Sequence, residues 1–448
     1  MPAFPFRVPM PQRFAGPMPE AADVVVIGGG VIGVTTALYL ARGGQRVVLL
    51  EKGRVAAEQS SRNWGWIRQQ GRDPDELPIM MGAIGLWQDL AADCAVDIGL
   101  HQGGVTYFAE SEKDLSGFAE WQAIAAGFDL DTQMLSARET AAMFPDLAQR
   151  YRGAMVTPSD MRAEPWLAVP ALADLAAREG VTIVENCAVR CLDLAAGKVA
   201  GVITEAGRIA APRVVLAAGA WSSLFLRNHG VSLPQLSVRE SVLSTAPLPH
   251  LCEGAAADSK VAFRRRADGG YTLAPTGVTE LFIGPDALRH FSRYLTQLRA
   301  NPLGQSYHLA APKGFPDGWR TNRRWSGDET TPFEGMRILD PAPNGRKLDQ
   351  LVRDFMALFP ALPEVKVTAR WAGMIDTMPD VVPVVDHCAQ LPGLVIGTGM
   401  SGHGFGIGPA MGRVLAALVT GDPVGHDLTR FRASRFTDGS AIRLGPSV

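Results

Sequence analysis

The hydrophobic positions of this chain follow two different periods, and the switch between them outlines the fold. Asp23-Val-Val-Val-Ile27 sets apolar β-branched residues in a row before a glycine, the mark of a strand buried on both faces, and residues 31–40 then take up helical spacing. Residues 46–50 predict a second buried strand, and Arg213-Val-Val-Leu-Ala-Ala-Gly a third that ends in small residues. The run 394–397 repeats the pattern, followed by a glycine-rich turn and a helix to about residue 418. Between these lie predicted amphipathic helices over 76–93, 112–126, 164–179 and 346–359, and Ser136-Ala-Arg-Glu139 is a capping box that opens another. Short strands are expected at 103–110, 181–185, 188–193 and 199–204. The stretch 237–338 reads as antiparallel β with inserted helices, including strands at 237–245 and 260–265 and a hairpin turn at Arg266-Ala-Asp-Gly-Gly-Tyr271.

This order predicts an α/β protein. A Rossmann-like cofactor domain is assembled from 21–72, 150–234 and 365–421, and interleaved with it is an α+β substrate domain, 73–149 and 235–364, containing a mainly antiparallel sheet. Residues 1–20 form a proline-rich arm and 422–448 a tail. A length of 448 residues with 47% hydrophobic positions supplies the core that two domains need. Lys+Arg 43 against Asp+Glu 45 gives a net charge of −2, which removes any global field for nucleic acid or an acidic membrane. Cys94, Cys187, Cys191, Cys252 and Cys388 are odd in number and form no C-x-x-C, so they read as thiols in a reducing compartment, with no disulfide scaffold or metal site; Cys187 and Cys191 are expected to fill core. The proline-rich start is neither a signal peptide nor a span, and 391–420, although apolar, contains His403 and Arg413. A cytoplasmic protein is expected, with peripheral contact at the inner membrane face left open, as is the choice between monomer and homo-oligomer.

The first strand–turn–helix carries Gly28-x-Gly30-x-x-Gly33. Gly28 makes the tight turn, Gly30 admits a pyrophosphate to the backbone, Gly33 lets the helix lie close on the sheet, and Val31 and Ile32 open that helix with free N–H groups. Glu51 stands at the tip of the second strand, 23 residues after Gly28 and followed by Lys52, where a carboxylate receives the hydroxyls of a ribose. These features together predict a bound dinucleotide. The following segment, Ser60-Ser-Arg-Asn-Trp-Gly-Trp-Ile-Arg68, mixes hydroxyls, arginines and two tryptophans, and reads either as a surface crossover or as a stretch passing beneath a flat ring. At the far end, Gly399-Met-Ser-Gly-His-Gly404 presents backbone N–H groups at a helix start, suited to partial negative charge on a ring carbonyl.

The pairing of GGGVIG, EKG and SSRNWG near the front with TMPD and GTGMSGHGFGIGPAMG near the end resembles the flavin-dependent D-amino-acid oxidase and dehydrogenase superfamily, which includes glycine and sarcosine oxidases. The resemblance implies FAD and oxidation of a C–N bond of an amino acid. It implies that Gly28, Gly30, Gly33 and Glu51 hold the ADP half, Ser60, Ser61, Arg62, Asn63, Trp64 and Gly65 the ribityl chain and ring edge, Val189 the adenine side, Ala218, Gly219 and neighbouring Trp221 the pyrophosphate side, and Gly399, Met400, Ser401, Gly402, His403 and Gly404 the flavin pyrimidine. Where sarcosine oxidases carry a flavin-linking cysteine this chain has Gly373, so the FAD is expected to be non-covalent.

Two departures bear on the substrate. Relatives place a carboxylate-binding cation where this chain has Met374-Ile375 and Gly406. Either the substrate lacks an α-carboxylate or another arginine serves, with Arg68 first, then Arg324, and Arg265 and Arg370 behind; the planar guanidinium suits a carboxylate. Trp64, Trp66, Tyr271 and Tyr307 are candidate pocket walls with core packing as the alternative for each, and His403 is either beside the ring or a polar member of the turn. The expected reaction is oxidative deamination of a free α-amino acid, D ahead of L, to the 2-oxo acid and ammonia. The electrons pass on to oxygen, a quinone or a dye. The alternatives are oxidation of a secondary amine, such as an N-alkyl or cyclic amino acid or an opine, and service as the flavoprotein subunit of an electron-transfer complex.

Overall fold

The computed structural model describes residues 11–148, 150–277 and 279–446; the first half of the expected arm and the last two residues of the expected tail lie outside these. A six-stranded sheet carries the cofactor side. Its strands are β1 (Val24–Ile27), β2 (Val47–Leu50), β3 (Thr182–Val184), β4 (Arg213–Leu216), β5 (Val384–His387) and β6 (Leu394–Thr398), in spatial order β3-β2-β1-β4-β6-β5. All neighbours run parallel except β5 on β6, a hairpin that closes one edge. Every residue of β1, β2 and β6 is buried, which explains runs without alternation: helices cover one face and a further layer the other. The carboxyl ends of β1, β2, β4 and β6 therefore open on one side, where an open parallel sheet binds ligands.

Helices α1 (Val31–Arg42) and α2 (Gly404–Thr420) pack against each other on that sheet. Their approach depends on small residues. A Cβ on Gly408 would lie 2.7 Å from a Val31 methyl and one on Gly412 2.2 Å from Thr35 Oγ1, so the two ends of the chain are joined where side chains are absent.

The second sheet has ten strands, mostly antiparallel, including Val105–Ala109, Gly153–Thr157, Leu236–Thr245, Val261–Arg265, Tyr271–Pro275 and Val367–Thr377. Strands Gly153–Thr157 and Val367–Thr377 belong to this sheet although the sequence pattern grouped their stretches with the cofactor side; the second pairs along Leu236–Thr245 before the chain returns through β5. Helix Gly345–Leu358 lays Leu348, Leu351 and Phe355 on this sheet against Phe263 and Tyr271. Both expected capping-box bonds form at Ser136. Cys187 is buried, Cys191 only half-buried, and all five cysteines are free thiols. Among the described residues no helix is long and apolar enough to cross a membrane.

Candidate active site

An elongated cavity of about 690 Å³ runs from the carboxyl ends of the six-stranded sheet to the face of the ten-stranded sheet. Its first end is built by close backbone contacts. Gly28 has φ +110°, and a Cβ there would sit 2.4 Å from the Ala217 carbonyl oxygen; one on Gly33 would sit 1.9 Å from the Gly28 carbonyl. Glu51 fixes the turn: its carboxylate accepts from the N–H of Gly29 (2.8 Å) and of Gly53 (2.7 Å), and burial pushes its pKa up. The start of α1 has no cap of its own, and Ser60 Oγ accepts from Val31 N–H at 2.8 Å. Lys52 is bound to Glu58 at 2.6 Å and lies 4.4 Å from the Trp221 ring, while Trp221 Nε1 donates to the same Glu58; both side chains form the wall. Glycines where a side chain does not fit, free N–H groups at a helix start and a carboxylate at the second strand's tip suit the ADP half of FAD. Val189, Ala218 and Gly219 line the same end.

The middle of the cavity follows the 59–68 segment. Buried Arg62 donates to the carbonyls of Ala57 and Ala372 and pairs with Asp340. Asn63 Oδ1 accepts from Gly65 N–H at 2.8 Å, holding a turn in which Gly65 has φ +78°. Gly373 faces this stretch; a Cβ there would meet Arg62 Cβ at 3.3 Å, and the position offers no thiol for a covalent flavin. Opposite, the 399–404 turn is held by Asp376, whose carboxylate accepts from Gly399 N–H at 2.7 Å and whose carbonyl accepts from Ser401 N–H at 2.9 Å. Met400, Ser401, Gly402, His403 and Gly404 face the cavity.

The far end is where charge is left over. Trp64 and Trp66 meet edge to face at 5.3 Å, and Trp66 continues to Tyr107 at 6.2 Å. The Arg68 guanidinium lies 5.4 Å from the Tyr107 ring and donates to Gln70 O at 2.6 Å. Arg72, only 3% exposed, donates through Nε to Arg68 O, and its buried Nη1 has no hydrogen-bond partner among the described residues. Burial first, then the Arg68 charge, pulls Arg72 down to about 9. Neither arginine has an ion-pair partner among the described residues. Asp160, which accepts from Gln69 N–H, is pushed up to about 7 by burial. His403 Nδ1 lies 2.9 Å from Glu76 Oε2.

The expected residues thus divide. Trp64, Trp66, Arg68 and His403 meet in the cavity, together with Ser60, Arg62, Asn63 and Gly373. Gly33, Ser61, Gly65 and Gly399 stand behind it: Ser61 bonds back to Glu58 O, Gly65 lies against the Ala163 carbonyl, and Gly399 packs on Met378. Tyr271 is a core residue, fully buried beside Phe263 and Phe355, with its hydroxyl accepting from Leu251 N–H. Tyr307 is 49% exposed on an edge strand. Arg324 donates to Asn228 O on the outside, Arg370 pairs with Asp349, and Arg265 also lies outside the cavity lining. The pattern reading missed Arg72, Glu76, Tyr107 and Glu240. Only Arg72 and Glu76 left a trace, their spacing of four from Arg68 and from each other; Glu240 reaches the cavity through strand pairing, where it stands across from Gly373 and burial pushes it up to about 8.

With this geometry in view, a family model described as FAD dependent oxidoreductase matches residues 23–418. The chain belongs to that family. Its FAD is non-covalent. The structure of the L-amino acid deaminase from Proteus myxofaciens in complex with anthranilate superposes with a TM-score of 0.90 at 31% identity, covering 95% of this chain and 96% of that one. Glycine oxidase from Geobacillus kaustophilus is 26% identical over 93% of this chain and 98% of its own. Mitochondrial sarcosine dehydrogenase of Mus musculus is 29% identical over 59% of this chain, and the human protein 23% over 93%; the matches span only 31% and 42% of those longer proteins.

Proposed function

We propose that this family member oxidises the C–N bond of an amino acid that carries a free carboxylate, with N-alkyl and cyclic amino acids ahead of the D-amino acids expected at first. The carrying observation is the pair of arginines, Arg68 and Arg72, at the ring end of the cavity, neither of them in an ion pair among the described residues. A buried cation lacking an anion is costly, and a substrate carboxylate relieves that cost. The preference over D-amino acids rests on the relatives, whose names are sarcosine dehydrogenase and glycine oxidase.

When bound, FAD supplies a two-electron acceptor for the C–H bond beside nitrogen. Gly28, Gly30, Glu51 and Ser60 would hold its ADP half, and the 400–404 turn would direct backbone N–H groups at its ring. The chain's own part is then orientation. Arg68, stacked on Tyr107, and Arg72 behind it would fix the carboxylate, while Trp64 and Trp66 narrow the pocket and keep water out.

A second reading, deamination of an L-α-amino acid, is favoured by the likeness to the Proteus deaminase along nearly the whole chain. Product analysis separates the two. Incubating the purified protein and an electron-accepting dye with sarcosine, L-proline, L-phenylalanine and D-phenylalanine is expected to yield a primary amine or a cyclic imine under the first reading and ammonia from the L-acid under the second. Turnover of D-phenylalanine alone would restore the original expectation, and no turnover of any would favour an electron-relay subunit.

A further inference from the structure

An amino acid arrives with its nitrogen protonated, and a protonated nitrogen has no lone pair with which to expel the electrons of the adjacent C–H bond. A base in the cavity that takes this proton lets the abundant protonated form react. We propose that His403 takes this proton on Nε2 from the substrate ammonium, and that Glu76 is the positioning residue that makes it able to do so; the inference rests on the amino-acid reading above.

His403 stands in the glycine turn at the ring end and lines the cavity. Its Nδ1 is 2.9 Å from Glu76 Oε2, and Glu76 is fully buried. A carboxylate only accepts, so Nδ1 carries the proton and Nε2 keeps a lone pair. Nε2 makes no hydrogen bond among the described residues, and the side chain retains 17% of its accessible surface. Glu76 is also the charge the product of the transfer needs. Its other oxygen, Oε1, has no hydrogen-bond partner among the described residues, and a positive charge on the neighbouring imidazole offsets the charge of the buried carboxylate.

The surrounding charges set the direction. From the 68–76 segment Arg68 and Arg72 face His403 as cations and Glu76 as an anion. Asp160 lies behind Arg68, bound to the N–H groups of Gln69 and Gln70, and Asp376, beneath the turn, is occupied by Gly399, Gln235 and Thr398. Burial first, then Arg72, holds free His403 below the ordinary histidine range, so it is neutral and ready when the substrate enters. Substrate carboxylate on the arginines cancels their repulsion and makes the imidazolium easier to form. In the transfer an N–H bond breaks, its electron pair stays on the substrate nitrogen, and the proton goes to Nε2; the amine is then neutral, and the C–H electron pair has FAD as its acceptor.

The test uses the FAD-loaded enzyme and two readouts. Anaerobic flavin bleaching by sarcosine, L-proline and L-phenylalanine is followed from pH 6 to 10 in wild type, His403→Asn and Glu76→Gln. Loss of a positioned base is expected to cost about 100-fold in second-order bleaching rate at pH 7 and to fade to a few-fold at pH 10, where the substrate is itself deprotonated. Glu76→Gln should show the same pH-dependent loss, smaller in size. Imidazole NMR with 2-aminoisobutyrate, which has no Cα–H to lose, should show one histidine becoming imidazolium at pH 7.5 in wild type and not in His403→Asn. An equal loss at every pH, no loss, or an unchanged imidazole spectrum overturns the proposal while leaving the amino-acid reading intact. Absence of bleaching by every compound overturns both.

Discussion

The two ends of the cavity are made by different means. At the ADP end, the backbone closes so tightly that a Cβ on Gly28 or Gly33 would fall inside van der Waals contact, and the charges are spent: Lys52 on Glu58, and Glu51 on two backbone N–H groups. At the ring end the charges are not spent: neither Arg68 nor Arg72 has an ion-pair partner among the described residues, and burial holds Asp160 at about 7 and Glu240 at about 8. A cofactor that stays is received by a rigid cradle. A substrate that comes and goes is received by electrostatics the protein leaves incomplete, arranged before the ligand arrives.

If packing governs the first end, the harshest break is Gly33→Ala. Its Cβ would overlap the Gly28 carbonyl, so α1 must lift from the sheet, at a cost of about 3 kcal/mol, the upper part of the overpacking range. Thermal melting and FAD content should both fall; a variant with normal FAD and an unchanged Tm would contradict the close approach. If charge governs the second end, Arg68→Met and Arg72→Met should each weaken binding of a simple carboxylate, benzoate, by roughly 30-fold or more, from about 2–5 kcal/mol for a truncated charge partner. FAD content should be normal, and titration by the flavin absorbance change measures it.

Glu51→Ala should weaken FAD binding by about 1.5–3 kcal/mol and, because the carboxylate also holds the Gly29 and Gly53 N–H groups, lower the Tm of the apoprotein, while the turnover rate at saturating FAD stays close to wild type. Fluorescence titration of the apoprotein decides this. The smallest effect is a pH slope. Glu240 is held at about 8 in the fold against an unfolded value of roughly 4.3, so between those values the folded state holds the extra proton. Its contribution is complete below the unfolded value and is lost as pH rises through 8. The Tm of wild type should therefore decline relative to Glu240→Gln from pH 5 to 8; parallel curves would mean that Glu240 is ionised throughout.

How legible each end was in the sequence follows from the same contrast. The cradle is local: strand, turn and helix are consecutive, and Glu51 needs only one further strand to come into register, so the strand–turn–helix and the place of Glu51 at the second strand's tip were legible from spacing alone. The ring end is assembled across the chain. Arg72 and Glu76 come from a loop, Tyr107 and Glu240 from two strands of the ten-stranded sheet, and His403 from the far glycine turn. Nothing in the order of residues announces that meeting. For the same reason Tyr271 and Tyr307, which composition offered equally as walls, lie in the core and on an edge strand respectively, where sheet pairing put them.

The central claim, that a carboxylate-bearing amino acid is the donor and that Arg68 and Arg72 receive its carboxylate, is tested most directly by anaerobic stopped-flow bleaching of bound FAD with matched pairs: sarcosine and sarcosinamide, L-proline and L-prolinamide, L-phenylalanine and L-phenylalaninamide. In wild type the acid of at least one pair should bleach the flavin roughly 30-fold faster per molar substrate than its amide, and Arg68→Met should bring the two together by slowing only the acid. An amide that bleaches as fast as its acid in wild type, or a variant that slows both members equally, would contradict it.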